Sequence, residues 1–170
     1  MRTLFVMDAG DYDPALPQTV RPSVRAVVIR QGRVCMVHSR KYDYYKFPGG
    51  GMEPGEDQRQ TLLRETAEEA GLAVCPDTVQ EYGQVRRVRR NDEGGPFVQE
   101  NYYYLCEAQT ESIPQQLDDY EADEGFTPEW IEPEAAIRVN REQPHGPKDQ
   151  QMLEREALVL ERLIREGYFE

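Results

Sequence analysis

The feature that most constrains this chain is a glycine-rich turn followed by a helix that carries several glutamates on one face. The turn contains Gly49, Gly50 and Gly51. The helix is predicted to begin after Asp57, which can cap its first turn, and to end at Gly71, the usual left-handed residue after a helix. Neighbouring carboxylates destabilise a helix by about 0.2–0.5 kcal/mol per pair, so this helix is expected to have a cationic partner.

The glutamates of this helix share one side of it. Glu65, Glu68 and Glu69 lie within an arc of about 100° when successive residues are rotated by 100°. The opposite arc is mostly apolar and contains Leu62, Leu63, Thr66, Ala67 and Ala70. The glutamate face is therefore expected to point away from the core. Carboxylates and backbone carbonyls are the ligands that Mg²⁺ and Mn²⁺ prefer, so the turn and the helix together predict a metal site.

The spacing of these residues matches a known motif. Gly50 is followed after five residues by Glu56 and, after seven more, by the segment RETAEEAGL at 64–72, which is the pattern of the Nudix box. Thr66 stands where an aliphatic residue is usual, and the preceding Phe47-Pro48 is also similar to the family. The chain thus resembles the Nudix hydrolases. The resemblance implies a single α/β (α+β) domain over residues 1–170, with a mixed sheet sandwiched between helices.

The resemblance also implies roles for the residues of the motif. Glu68 and Glu69, with a carbonyl of Gly49 or Gly50, would bind Mg²⁺ or alternatively Mn²⁺. Glu65 would be a further metal ligand or the general base that activates water. The expected reaction is hydrolysis of a nucleoside diphosphate linked to another group, and the expected partner is therefore a small nucleotide.

Supporting residues are expected on both sides of the helix. By the same resemblance, Arg64 would orient the glutamates by ion pairing, and Glu56 would support that arrangement. The later segment EGFTPEW resembles a stretch that carries a further catalytic glutamate in nucleotide-cleaning members of the family. Glu124 is the candidate for that role, with Glu121 and Asp123 as alternatives in the same loop.

Three residues are predicted to bind substrate. Arg40 lies near the position of a phosphate-contacting arginine in the family, and Phe47 could stack on a base. The basic run at 85–90 is predicted to be a strand, in which Arg87 and Arg89 project to the same side. That pair could contact phosphates, although an exposed ladder of ion pairs explains it equally well.

Composition excludes several classes of protein. The net charge of −12 argues against a general DNA or RNA binder, which needs a broad basic face. No apolar run approaches the ~18 residues of a membrane span, so no membrane partner is expected. The three cysteines are Cys35, Cys75 and Cys106, with no CxxC pair, and they favour reduced thiols and a cytoplasmic location.

The remaining pattern predicts strands that alternate with a few helices. Strands are predicted at 3–7, 23–30, 33–39, 80–90, 97–108 and 126–131, helices at 133–139 and 148–167, and loops at 41–56 and 111–125. Gln31-Gly32 is predicted to turn a hairpin. The apolar stripe of the last helix suits the core or, alternatively, the seam of a homodimer.

The substrate is narrowed by features that the chain lacks. The proline expected about 15 residues after the motif in ADP-ribose hydrolases is replaced by the segment from Arg86 to Val88. By elimination, and by the resemblance of EGFTPEW to the nucleotide-cleaning members, a nucleoside triphosphate, standard or modified, is favoured over ADP-ribose or a sugar nucleotide. A regulatory domain that binds a nucleotide without cleaving it, and an isomerase on the same fold, are the alternatives. Such a regulatory domain typically loses glutamates of the motif, and all are present here.

Overall fold

The computed structural model describes residues 1–142 and 144–170 and shows an α/β fold with two sheets. The strands are β1 (Thr3–Asp8), β2 (Thr19–Val27), β3 (Ile29–Arg30), β4 (Arg33–Ser39), β5 (Tyr44–Lys46), β6 (Gly49–Gly51), β7 (Gln80–Arg90), β8 (Pro96–Leu105) and β9 (Thr127–Ile131). The helices are α1 (Gln58–Ala70), α2 (Asp119–Glu124), α3 (Pro133–Glu142) and α4 (Gln150–Arg165).

The larger sheet is mixed and has the strand order β1-β7-β8-β2-β6. Strands β7 and β8, which the sequence predicts at 80–90 and 97–108, form an antiparallel pair. Strand β1 joins β7 in parallel, and β2 joins β8 in parallel. Strand β6 consists of the three glycines and pairs antiparallel with β2, so that Gly49 lies opposite Arg25. The glycine turn therefore forms the edge strand of the larger sheet.

The smaller sheet is built around β4. Strand β9 pairs along most of β4, while β3 and β5 pair with its two ends. The predicted hairpin is present, and its turn residues Gln31 and Gly32 have φ angles of 51° and 72°. Both faces of β4 are buried, because Val34 and Met36 pack in one core cluster and Cys35 and Val37 in the other. Such two-sided burial explains the continuous apolar sequence of this strand.

The helices cover the sheets from both sides. One core cluster includes Ala136 of α3 and Leu160 of α4, and the other includes Leu62 and Ala70 of α1. The predicted mixed sheet between helices is confirmed. The apolar stripe of α4 belongs to the core of this chain, since Leu153, Ala157, Leu160 and Leu163 are all fully buried. Within the described residues, no helix has the length and apolar character needed to cross a membrane.

Two segments predicted as loops contain regular structure. The segment 41–56 includes the short strands Tyr44–Lys46 and Gly49–Gly51, and the segment 111–125 includes the helix Asp119–Glu124. For the segment 41–56 the loop prediction was wrong because three-residue strands leave no periodicity in a sequence. Their strand conformation comes from pairing with β4 and β2, which are distant in the chain.

A buried ion pair on α4 fixes this helix against the start of the glycine turn. Arg155 and Glu156 are both fully buried, and the Arg155 Nε donates to Glu156 Oε1 at 3.0 Å. Arg155 also donates to Gln99 Oε1 at 3.0 Å, while Glu156 Oε2 accepts the backbone N–H of Phe47 at 2.8 Å. These contacts neutralise both charges inside the core and position the residue that precedes Pro48.

We expect Glu156→Gln to lower the free energy of unfolding by about 3–5 kcal/mol, because it leaves Arg155 buried without a counter-ion. Glu154→Gln is the matched control, since Glu154 pairs with Arg141 at the surface and its loss costs about 0–1 kcal/mol. Urea denaturation of both variants measures the difference. Equal losses in the two variants would contradict a structural role for the buried pair.

Candidate metal and phosphate site

Helix α1 is positioned by the caps that the sequence predicts. The Asp57 side chain accepts the backbone N–H of Gln60 at 2.8 Å, and the Gln60 side chain accepts the backbone N–H of Asp57 at 2.9 Å. Gly71 ends the helix in the left-handed conformation, with a φ angle of 62°. The caps fix where the helix begins and ends. The positions of its glutamates then depend on how the helix is rotated about its axis.

The glutamate face is partly covered by other parts of the chain, and the prediction that it points away from the core was wrong for Glu69. Glu69 is only 1% exposed, and the side chain of Glu65 is 16% exposed, compared with 37% for Glu68. Glycine strand β6 packs against this side of α1, and the side chains of Lys46 and Arg64 bind the carboxylates. Helical periodicity could not show this cover, because β6 comes from outside the helix.

Arg64 connects the glutamates of the motif, as the resemblance implies. Its Nε donates to Glu56 Oε1 at 2.5 Å, and its Nη2 donates to Glu56 Oε2 at 2.9 Å. Its Nη1 donates to Glu65 at 2.9 Å and to Glu68 at 3.2 Å. The hydrogen bonds from Arg64 lower the pKa of Glu56 to about 2. Arg64 therefore holds three carboxylates in a fixed relative position.

Glu69 is bound by a different cation. Its Oε2 accepts a hydrogen bond from Lys46 Nζ at 2.9 Å, while its Oε1 is buried and has no hydrogen-bond partner in the part of the chain that the structure describes. Complete burial raises the pKa of Glu69 to about 7, although the nearby charge of Lys46 opposes this shift. Burial likewise raises the pKa of Glu65, opposed by Arg64. Two buried carboxylates with raised pKa values are typical of a functional site.

The glycine turn can approach the glutamates only because it lacks side chains. A Cβ on Gly50 would lie 2.7 Å from the carboxylate of Glu65. A Cβ on Gly49, whose φ angle is 145°, would lie 1.9 Å from the carbonyl oxygen of Val24. Glycine is therefore required at position 49, whereas a side chain at position 50 would have to displace the Glu65 carboxylate. The missing side chains let the backbone carbonyls of the turn lie beside the carboxylates.

The donor groups suit a divalent cation, although their side chains do not converge on one point. No three Asp, Glu, His or Cys side chains in residues 1–142 and 144–170 form a cluster with metal-binding geometry. The carboxylates are drawn instead to Arg64 and Lys46, which supply the positive charge. The unpartnered Oε1 of Glu69 and the carboxylate and carbonyl donors nearby fit the ligands of Mg²⁺ or Mn²⁺.

A cleft of about 290 Å³ opens beside the glycine turn. Six of the side chains that line it are positively charged: Arg21, Arg25, Lys46, Arg87, Arg89 and Lys148. It also contains Glu65 from α1 and Glu121 from α2. The sequence prediction missed Arg21, Arg25, Lys46 and Lys148, because they come from separate segments that only the sheet topology brings together.

The predicted substrate-binding residues have different outcomes in the structure. Arg87 and Arg89 do project to the same side of β7 and both line the cleft, and burial lowers the pKa of Arg87. Arg40 is exposed beside Gly125 and does not line the cleft. Phe47 is fully buried and packs edge-on against Tyr103 with ring centroids 5.5 Å apart. Phe47 is therefore a core residue and cannot stack on a base, contrary to the prediction.

The three candidate carboxylates around α2 lie in different environments. Glu124 is buried with both oxygens engaged, one by the Tyr44 hydroxyl at 2.7 Å and the other by Lys148. Asp123 is exposed and pairs with Lys41. Of the three, only Glu121 lines the cleft. The structure thus brings Glu121, rather than Glu124, to the side of the cleft that faces the motif.

Comparison with known proteins gives distant relatives that share the fold. A mouse protein named nucleoside diphosphate-linked moiety X motif 6 is 29% identical over 147 residues, which are 86% of this chain and 40% of that protein. An RNA pyrophosphohydrolase of Xanthomonas axonopodis pv. citri is 28% identical over 127 residues, 68% of this chain and 61% of that protein. The chain therefore spans between 40% and 61% of the length of these curated relatives.

Solved structures agree with this result. A MutT structure, from work on Aliivibrio salmonicida and Vibrio cholerae, has a TM-score of 0.55 at 18% identity and covers 87% of this chain and 99% of its own. A putative Nudix hydrolase of Chromobacterium violaceum has a TM-score of 0.53 at 22% identity and covers 88% of this chain and 80% of its own. The model of the NUDIX domain matches residues 19–155, and the chain therefore belongs to the NUDIX domain family.

Proposed function

We propose that this protein is a Mg²⁺-dependent hydrolase that cleaves the diphosphate linkage of a nucleoside diphosphate compound. The preferred substrate is a nucleoside triphosphate, standard or modified, which is cleaved to the nucleoside monophosphate and pyrophosphate. The observation that carries this proposal is the cleft in which buried carboxylates and the glycine turn meet six positively charged side chains.

The charge distribution supports a polyphosphate substrate. The chain has a net charge of −12, so its surface as a whole repels anions. The cleft can attract anions locally, because six positively charged side chains line it. These side chains come from β2, β7 and the segments around Lys46 and Lys148. Arg89 in addition lies over the ring of Phe97, with its guanidinium carbon 4.7 Å from the ring centroid. These groups suit a ligand that carries several phosphates and a planar base.

The residues of the motif would supply the metal ligands. Glu65, Glu68 and Glu69, with a carbonyl of Gly49 or Gly50, would hold the ion. A divalent ion bound there would offset the negative charge of the diphosphate and make water a stronger acid. Arg64 keeps the carboxylates in position through its hydrogen bonds to Glu65 and Glu68.

Two carboxylates at the cleft are candidates for the proton transfer. Glu65 lines the cleft beside Gly50 and is our candidate for the general base, which would take a proton from the attacking water. Glu121 is our candidate for the assisting carboxylate, because it lines the cleft while Glu124 is engaged by Tyr44 and Lys148. Since Glu121 also accepts the backbone N–H of Asp118, its side chain is held in place.

A second candidate substrate is the triphosphorylated 5′ end of an RNA. The relatives named RNA pyrophosphohydrolase favour it, at 28% identity. The same cleft would bind the terminal phosphates in either case. The length of the nucleotide chain beyond the first base distinguishes the two candidates.

We expect turnover when the protein is incubated with Mg²⁺ and a panel of nucleoside triphosphates, ADP-ribose, sugar nucleotides and a 5′-triphosphorylated oligoribonucleotide. Released phosphate and pyrophosphate are measured. Glu68→Gln and Glu69→Gln are each expected to lower kcat by at least about 100-fold, because each removes a charged metal ligand. Glu134→Gln, an exposed glutamate on α3, is the control.

Undiminished turnover in both glutamine variants would exclude the proposed metal site. Tight binding of a nucleotide without turnover of any compound in the panel would instead favour a regulatory domain. Removal of the metal with EDTA is expected to abolish turnover in the unmodified protein, and added Mg²⁺ to restore it.

Arg89→Gln is expected to raise KM for the preferred substrate about tenfold, because it removes a charged contact to phosphate in the cleft. Arg90→Gln is the matched control: Arg90 is the next residue of the same strand, but it does not line the cleft. Steady-state kinetics on both variants test the assignment. A similar KM change in the two variants would mean that the cleft does not bind the phosphates.

We expect the loss of stability in Glu56→Gln to depend on pH. Arg64 lowers the pKa of Glu56 from 4.5 to about 2, so this carboxylate stabilises the fold above pH 4.5, and its contribution is lost as the pH falls toward 2. The stability difference between the unmodified protein and the variant should therefore shrink between pH 6 and pH 3. Urea denaturation across this range measures it, and a constant difference would contradict the ion pair.

A further inference from the structure

Lys46 occupies a place between two of the proposed metal ligands. Its Nζ lies 2.9 Å from Glu69 Oε2 and 3.4 Å from the carbonyl oxygen of Gly49. The residue is only 8% exposed, and its ammonium group lies 5.2 Å from the centroid of the Phe126 ring. A positive charge is thus already bound by the groups that are proposed to bind a divalent cation.

The surroundings of Lys46 show why a cation is needed there. Glu69 is 1% exposed, and a buried carboxylate without a counter-ion is strongly destabilising. Arg25 is also nearby, but its Nη1 donates at 2.9 Å to the carbonyl of Gly49 rather than to Glu69. Of the two oxygens of Glu69, only Oε2 has a hydrogen-bond partner among the described residues, and that partner is Lys46.

An ammonium group and a divalent cation cannot both bind Glu69 and Gly49 at these distances, because their charges repel each other strongly at short range. A lysine side chain is long and flexible, so its charge can move several ångströms while its stem stays packed. Lys46 lines the cleft as well as contacting Glu69, so its ammonium group has space to move into the cleft.

We propose that Lys46 is the internal counter-ion of Glu69, and that a divalent cation binds Glu69 and the Gly49 carbonyl by displacing the ammonium group into the cleft. This inference rests on the proposed function, because it uses the same metal ligands. Two consequences follow. The Lys46–Glu69 pair stabilises the metal-free protein, and metal affinity is weakened by the cost of breaking that pair.

A second lysine provides a matched control. Lys148 also lines the cleft and pairs with a buried glutamate, Glu124. Neither Lys148 nor Glu124 contacts Glu69 or the glycine turn in the described hydrogen bonds and ion pairs. Replacing either lysine by methionine removes one positive charge from the cleft at similar side-chain length, but only Lys46→Met removes the cation that contacts both Glu69 and the Gly49 carbonyl.

The first test is the affinity for Mn²⁺, measured by electron paramagnetic resonance on the unmodified protein, Lys46→Met and Lys148→Met. We expect Lys46→Met to bind Mn²⁺ at least about tenfold more tightly than Lys148→Met, because a charged hydrogen bond no longer has to be broken. Equal affinities in the two variants, or weaker binding in Lys46→Met, would overturn the inference while leaving the metal site intact. Absence of Mn²⁺ binding in all three proteins would overturn the proposed metal site itself.

The second test uses the unmodified protein and does not depend on the folding of a variant. The sequence contains three lysines, Lys41, Lys46 and Lys148, so acylation by an amine reagent can be followed at each by mass spectrometry. We expect Lys46 to react slowly in EDTA and several-fold faster at saturating Mg²⁺, while the exposed Lys41 reacts at the same rate in both. An unchanged rate at Lys46, under conditions where Mg²⁺ binds, would show that its ammonium group is not displaced.

Discussion

The structure around the site depends on the burial of carboxylates on α1 beneath a strand made of glycine. Burial alone would force these groups to be neutral or unfold the helix, so each must have a cation at short range. Arg64 forms ion pairs with Glu56, Glu65 and Glu68, and Lys46 forms an ion pair with Glu69. This division places a rigid guanidinium on the exposed side and a flexible ammonium on the buried side. The buried side is where a divalent ion would compete most directly.

The scaffold keeps this arrangement in register through contacts that involve no functional group. The capping box and Gly71 fix the ends of α1, while pairing with β2 fixes the three glycines. On the far side, Glu156 of α4 holds the backbone N–H of Phe47 at 2.8 Å. The glycine turn is therefore held on both sides, by a sheet edge and by a buried side chain, which limits its movement relative to the carboxylates.

The cleft shows how an acidic protein can be built for an anionic ligand. Of the motif residues, Gly50, Gly51 and Glu65 line this cleft, and its cations come from parts of the chain outside the motif. The positive charge of the cleft would attract the phosphates of the proposed substrate, while the net charge of −12 repels anions from the surface as a whole. Arg87 is tied to Asp149 and Gln99, so part of this positive charge is held rigid before any ligand binds.

The sequence by itself determined the features that are local along the chain. The shared face of the α1 glutamates and the shared side of Arg87 and Arg89 follow from helical and strand periodicity. The caps of α1 and the hairpin at Gln31-Gly32 follow from the types of residue at the helix ends and in the turn. Most of the strands were predictable for the same reason, whereas the mixed sheet was expected from the resemblance to a family and is formed by strands that are distant in the chain. Such features need only residues that are close in sequence, and their physical rules do not depend on the rest of the molecule.

Only the tertiary structure decided what covers each of these elements. Phe47 became a core residue, Arg40 stayed outside the cleft, and Glu121 entered it in place of Glu124. Lys46 reached Glu69 because β5 and β6 bring it across α1, 23 residues away in sequence. Burial and charge pairing are set by contacts between segments that are distant in the chain. Local sequence patterns do not show which distant segments meet, so only the folded structure reveals these contacts.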